Sequence, residues 1–231
     1  MTHPFPTEAS EKRWISLRFF LQGAGYHRAL RAFEYNRRLF TGLRKDGVTP
    51  EFDHHVCQAL YLRTLIPHLL YPEESFCVLA FHDTMEDHGV SQQEIMDVFT
   101  DSAFDSLYGK QNSLEFGNRV AHSTRNMTKV FRGVKDVESE LFKRMAQDAI
   151  ASLNKGIDRF HNQQTMIRTF SVKKMREYVQ ETQESILPMM KEAELMFPSQ
   201  EPAYKNIRTA LKSQVDMVER ILELSAEKGL T

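Results

Sequence analysis

The stretch Pro72-Glu73-Glu74-Ser75-Phe76-Cys77-Val78-Leu79-Ala80-Phe81-His82-Asp83-Thr84-Met85-Glu86-Asp87 decides how this chain is read. Pro72 stops the helix before it, because proline cannot continue one. Glu73 then opens a helix through 74–87 that closes at Gly89. The apolar run Phe76–Phe81 leads straight into His82-Asp83, which puts an imidazole and a carboxylate at the inner end of a buried helix. A charge in such a place is costly unless it meets a cation or a close partner.

Outward from this helix the periodicity stays helical. Strand signals are lacking: no alternating apolar and polar runs stand between tight turns. The fold class is therefore all-α. Helices are expected at 11–21 and 26–43, broken by Gly23 and Gly25, and at 53–70. Lys45–Pro50 reads as a loop. Ser91-Gln92-Gln93-Glu94 is a capping-box pattern opening the next helix. Residues 100–115 look less regular and read as an insertion or lid. Further helices are expected at 116–130, 137–156, 171–195 and 201–228, with Pro188 kinking the third of these. The domain reading is an N-terminal helix at 1–24, a main domain at 25–198, and a C-terminal helix at 199–231 packed on the same domain.

The 231 residues include 16 Phe and 11 Met, enough bulk for a core. Thirty basic residues face thirty-one acidic ones, so no net field recruits nucleic acid or an anionic membrane. Only two cysteines, no secretory signal and no run of membrane-spanning length point to a cytoplasmic protein with inert core thiols.

Four side chains that are hard to bury have apolar neighbours: His54, His82, Asp83 and Asp158. Two imidazoles and two carboxylates around one divalent ion would resolve the cost of burying them, and such a mixed set with open positions suits manganese or iron better than structural zinc. A His-Asp dipeptide alone carries little weight, and the combination makes the case. His55 competes with His54, since only one of two adjacent helical positions faces inward. Glu86 and Asp87 lie one turn beyond His82 and Asp83, on the same face if the helix continues. They read either as groups that position or deprotonate the attacking water or as a solvated acidic helix end.

These residues form ordered motifs: Arg44-Lys45-Asp46-Gly47, His54, His82-Asp83-Thr84-Met85-Glu86-Asp87, and Asp158-Arg159-Phe160-His161-Asn162-Gln163-Gln164-Thr165. Phe116-Gly117, Val120-Ala121, Thr128-Lys129, Asp148, Lys155, Glu181-Thr182 and Pro188 add to them. Over roughly residues 25–195 the chain resembles the hydrolase domain of the RelA/SpoT alarmone family. The resemblance implies an HD-domain helical bundle in which His54, His82, Asp83 and Asp158 hold Mn2+. It implies that Glu86 and Asp87 orient and activate water. Arg44 would stack on the base and Lys45 counter phosphate, with Asn162 and Thr165 on the nucleoside and Tyr178 near the substrate. The expected reaction is hydrolysis of the 3′-pyrophosphate of ppGpp or pppGpp to GDP or GTP and pyrophosphate.

Such chemistry also needs cations for the leaving group, and Lys45, Lys129, Lys155 or Arg159 could supply them. Arg159 could equally pair with a neighbouring carboxylate. His161 reads as a buttress to a ligand rather than a fifth ligand.

The chain departs from the family where His54-His55 replaces His-Pro, where Leu39-Phe40-Thr41-Gly42 replaces His-x-Gly-Gln, and at Asp46, which adds negative charge close to the expected phosphate. These changes leave the base open. An HD-type phosphohydrolase of adenosine alarmones, NADPH or a deoxynucleotide is the alternative, and a non-catalytic nucleotide sensor is a third reading. With no synthetase region after the hydrolase motifs, the chain reads as a stand-alone small alarmone hydrolase, monomer or homodimer.

Overall fold

The computed structural model describes residues 7–167 and 169–227. Residues 1–6 and 228–231, the outer ends of the expected terminal helices, lie outside the described residues. The architecture is all-α with one two-stranded hairpin.

Helix α1 (Glu8–Gly23) starts where the Thr7 hydroxyl accepts from the Ser10 amide, and it buries Trp14, Leu17 and Leu21. Gly25, at φ +73°, makes the reversal into α2 (His27–Leu39). That helix ends four residues short of the expected 43. Leu43 instead bridges to Pro50, and the Glu51 carboxylate lies so close to Gly42 that a Cβ there would meet it at 2.7 Å. Helix α3 (Glu51–Leu62) passes into a 3-10 turn at Arg63–His68 that contains Pro67. The expected helix to residue 70 is thus cut short by Pro67, while Pro72 sits at the start of α4 (Pro72–Phe81), where its missing N–H is harmless.

Helix α4 is buried continuously from Ser75 to Phe81 and packs against α2, α3, α8 (Lys110–Met127) and α10 (Ala149–Met166). A helix apolar on every side belongs at the centre. Polar ties fix its neighbours. Glu73 accepts from the Arg28 and Ala29 amides at the open start of α2 (2.8 and 3.3 Å), the Asn36 amide donates to the Ala80 carbonyl, and Asn154 donates to the Ser75 carbonyl at 2.9 Å. The helix does not run to residue 87. It breaks at His82-Asp83, and a short α5 (Thr84–Asp87) follows.

The capping box forms as expected at the start of α6 (Gln92–Asp97). The segment 100–115 is regular, contrary to expectation. Helix α7 (Ser102–Tyr108), capped by Asp101, turns at Gly109 into α8. It lies on α2 through the Arg31–Asp101 ion pair and the Arg28 guanidinium over the Tyr108 ring, so it is no lid.

The hairpin β1 (Val130–Phe131) and β2 (Val134–Lys135) was not legible in the sequence. Its turn residues Arg132 and Gly133 both have positive φ (51° and 77°), the conformation that fits the strand twist of a two-residue hairpin. Asp136 closes it, accepting from Arg125 at 2.9 Å and Arg144 at 2.7 Å.

The expected helix 137–156 divides into α9 (Glu138–Ala146) and α10, because the Asp148 side chain caps a new start. Gly156 on α10 lets Met190 and Ile207 approach to where a Cβ would collide. Helices α11 (Val172–Glu181) and α12 (Leu187–Met196) are joined by a π-turn at Thr182–Ile186. Pro188 lacks the amide that would bond the carbonyl four residues earlier, which accounts for a widened turn just before it. Helix α13 (Glu201–Glu227) lies across α10, α11 and α12. One apolar cluster runs from Trp14 to Leu211, and a smaller one joins Met166, Met175 and Val179 to Val215, Val218 and Leu222.

The two arginines, Arg125 first, pull the Asp136 carboxyl from 3.8 down to about 2. A depressed carboxylate adds stability above its unfolded pKa and loses it as pH falls through the folded value. Asp136→Asn should therefore cost about 1 kcal/mol at pH 7. Thermal melts of the two proteins at pH 7, 4 and 2 should show the difference shrinking below pH 4 and smallest at pH 2.

Candidate metal centre

The break at His82-Asp83 leaves the end of α4 facing α3 and α10. His54 comes from α3 and Asp158 from α10, and one ligand atom each from His54, His82 and Asp158 lies within 4.8 Å of the other two. His54 Nε2 is 3.3 Å from Asp158 Oδ1, and His82 Nε2 is 3.6 Å from the same oxygen. Asp83, the fourth expected ligand, is not part of that group of three; it contacts only His82, its Oδ2 3.0 Å from that Nε2. Three stretches far apart in sequence thus converge on one point.

The His82 ring donates from Nδ1 to the Leu79 carbonyl at 2.9 Å, so Nε2 carries the lone pair. That Nε2 is buried with no hydrogen-bond partner. Asp83 and Asp158 oxygens lie near it without completing a bond in direction, a meeting of lone pairs that only positive charge relieves. A proton can serve: burial lowers the imidazole pKa, but Asp83 and then Asp158 outweigh it and hold the group up to about 10. A divalent cation would serve better, since it satisfies both carboxylates at once. Two imidazole nitrogens and carboxylate oxygens are a donor set that fits one.

Asp158 is 6% exposed. Burial alone would raise its pKa, but Lys155 first, then His54 and His82, hold it well below the carboxylate range. Lys155 Nζ reaches Oδ2 at 3.2 Å and Asn162 donates to Oδ1 at 2.8 Å. For Asp83, too, burial is overcome by His82 and the carboxyl stays below its ordinary range.

His161 buttresses as expected, its Nδ1 2.8 Å from Nδ1 of His54. Burial, with His54 and Arg44 beside it, pushes its pKa down to about 3, so it is neutral. The expectation that only one of His54 and His55 faces inward is overturned, because α3 is buried around most of its girth. His55 bonds the Leu79 carbonyl at 3.0 Å and packs on Phe40 and His82, at ring distances of 4.6 and 4.8 Å. Burial holds it well below the usual histidine range.

A cavity of about 330 Å³ opens on the cluster, the size of a small-ligand site. Arg44, Lys45, His54, Asp83, Asp87, Asn162, Thr165 and Tyr178 all line it. Arg44 donates to Asn162 Oδ1 at 3.0 Å, and Lys45 lies over the Phe170 ring. Asp46 turns its carboxylate onto its own loop, accepting from the Val48 and Thr49 amides (2.9 and 2.8 Å) and the Thr49 hydroxyl. It still lines the cavity, with its ionised form favoured by those bonds. Asp87 has its pKa raised, by burial first and then by Asp83 and Glu86.

Other expected residues lie elsewhere. Glu86 is absent from the large cavity; its carboxylate accepts from the Lys129 and Val130 amides. Lys129 and Lys155 border a separate cavity of about 100 Å³ with His82, Asp83, Glu86 and Glu181. Arg159 is buried, paired with Glu181 at 2.5 Å and lying 4.2 Å over the Tyr178 ring. It takes the pairing role rather than a place on the large cavity.

Sequence reasoning missed two residues. Phe170 lines the large cavity, packed edge-on against Tyr178 at 4.9 Å. Gln58 is fully buried, its amide nitrogen 2.8 Å from His54 Nε2 and 3.0 Å from Asp158 Oδ1. Its spacing of four from His54, which repeats one helical face, was the available signal.

Compared with protein-family models and with curated proteins, the chain matches none. Among the described residues, no helix is long and apolar enough to cross a membrane.

If the cluster takes up a divalent cation, His82→Ala and Asp158→Asn should each abolish that uptake in titration calorimetry, while Glu86→Gln should retain it with affinity changed less than about threefold, a shift under 1 kcal/mol. Equal loss in all three would place Glu86 among the ligands.

Proposed function

We propose that this chain is a cytoplasmic, metal-dependent phosphohydrolase, and that its substrate is a guanosine alarmone carrying a 3′-pyrophosphate, ppGpp or pppGpp. The observation that carries the hydrolase reading is the unpartnered Nε2 of His82, buried beside the carboxylates of Asp83 and Asp158, with Asp83 and His54 lining the cavity that Arg44 and Lys45 also border. The substrate is inferred from the resemblance of the ordered motifs to the RelA/SpoT hydrolase domain.

His54, His82, Asp83 and Asp158 would hold the ion, which we take to be Mn2+. When bound, it would supply Lewis acidity toward phosphate and lower the pKa of water. The chain's own groups do the rest. Arg44 and Lys45 counter phosphate charge at the cavity mouth, and the Arg44 fork is held in place by Asn162. Phe170 and Tyr178 give the cavity an aromatic wall for a base.

In the reaction, a water oxygen bonds to the phosphorus next to the ribose, and the bond from that phosphorus to the 3′ oxygen breaks. The water loses a proton and the 3′ oxygen gains one. Asp87, raised in pKa and lining the cavity, is the group suited to take the first proton and return it. Lys155 and Lys129 stand beyond Asp83, where pyrophosphate charge can be met.

Purified protein supplied with Mn2+ should release pyrophosphate from ppGpp, and a chelator should stop it. Adenosine alarmones, NADPH and deoxynucleotides should be turned over slowly or not at all in the same panel; preference for one of them would keep the hydrolase reading and replace the substrate. Asp87→Asn should lower kcat by about 10²–10⁴ with little change in KM, the size of a lost general base.

A further inference from the structure

Gln58 adds something that the metal centre does not require for its assembly. An amide nitrogen donates and never accepts. Its 2.8 Å contact to His54 Nε2 therefore makes that nitrogen the acceptor. The ring proton must then sit on Nδ1, from which it is donated to His161 Nδ1 at 2.8 Å. The same amide nitrogen donates to Asp158 Oδ1 at 3.0 Å. Turned the other way, the amide would press its carbonyl oxygen against a carboxylate oxygen, so this orientation is the one that satisfies both neighbours.

The consequence for a metal is twofold. Gln58 selects the His54 tautomer that leaves Nε2 free of a proton, which is the form that ligates. Yet an imidazole nitrogen has a single lone pair in the ring plane, and here Gln58 already holds it. A cation and an amide N–H cannot share that lone pair. The carbonyl end of Gln58 is meanwhile buried without a partner, so rotating the amide would bring an unsatisfied oxygen toward the incoming charge. The side chain is completely buried, which leaves no solvent to take the place of either end.

We infer that Gln58 is a positioning residue that plugs the metal centre: its amide N–H groups occupy the lone pairs of His54 and Asp158 that a divalent cation needs, and metal enters only by turning the amide away. The inference rests on the metal centre proposed above. It makes loading a competition, so the affinity for metal is set below what the four ligands alone would give. The difference is the strength of the bonds the amide gives up.

Titration calorimetry with Mn2+ on the full chain tests this. Gln58→Met keeps the side-chain length and removes the donor, so it should bind Mn2+ about tenfold more tightly than the natural protein, the factor for a lost hydrogen-bond competitor. A merely structural role would weaken binding or leave it unchanged, and either result overturns the inference. Should the variant fail to fold, the natural protein labelled with 15N-glutamine gives the same answer, using zinc as a diamagnetic probe. The Gln58 side-chain amide signals should shift and lose protection from exchange as zinc saturates, and signals that stay fixed at saturation overturn the inference. If natural protein binds Mn2+ and Gln58→Met binds it no better, the plug alone fails. If neither protein takes up any divalent metal, the metal centre fails with it.

Discussion

Ionised Asp158, 6% exposed inside a helical bundle, is the constraint from which the rest of the site follows. A carboxylate in that position must be compensated on every side. Lys155 and Asn162 come from its own helix, one turn before and one after. His54 and Gln58 come from α3, and His82 from the end of α4. Three of these groups are in turn fixed by another bond: His54 by His161, His82 by the Leu79 carbonyl, Asn162 by Arg44. The charge thus organises two layers of side chains around one point. The balance still leaves His82 Nε2 without a hydrogen-bond partner beside two carboxylates, a place that a proton or a divalent cation would fill.

Helix α4 makes this arrangement possible by being apolar on all sides until it breaks. Its burial from Ser75 to Phe81 places the break deep in the molecule, so His82 emerges in the core and Asp83, partly exposed, at the cavity wall. A helix that continued regularly would have carried Glu86 onto the same face. The break instead sends Glu86 to the amides at the start of the hairpin and leaves Asp87 on the large cavity. The two acids that look equivalent in sequence thereby acquire different work, one holding a loop and the other facing the space where a ligand would lie.

Much of the fold was legible because it rests on local chemistry. The capping box at Ser91, the interruption at Gly23–Gly25, the break between residues 196 and 201 and the disturbance ahead of Pro188 depend on residues within a few positions of one another. Where the expectations failed, distant contacts decided. The regular helix at Ser102–Tyr108 is stabilised by arginines of α2, and the end of α2 is set by Glu51 lying against Gly42. Burial of both His54 and His55 requires helices on several sides of α3, which no periodicity within α3 can announce.

From the sequence alone came the all-α class, the buried helix with a charged end, and the identity of the residues that gather there, because hydrophobic run, residue type and motif order are properties of the chain itself. Tertiary structure decided which of those residues meet. The pairing of Arg159 with Glu181, the turning of Asp46 onto its own loop, and the seat of Gln58 between His54 and Asp158 are all matters of distance and direction. A hydrogen bond or a metal ligand depends on where a lone pair points, and only packing fixes that.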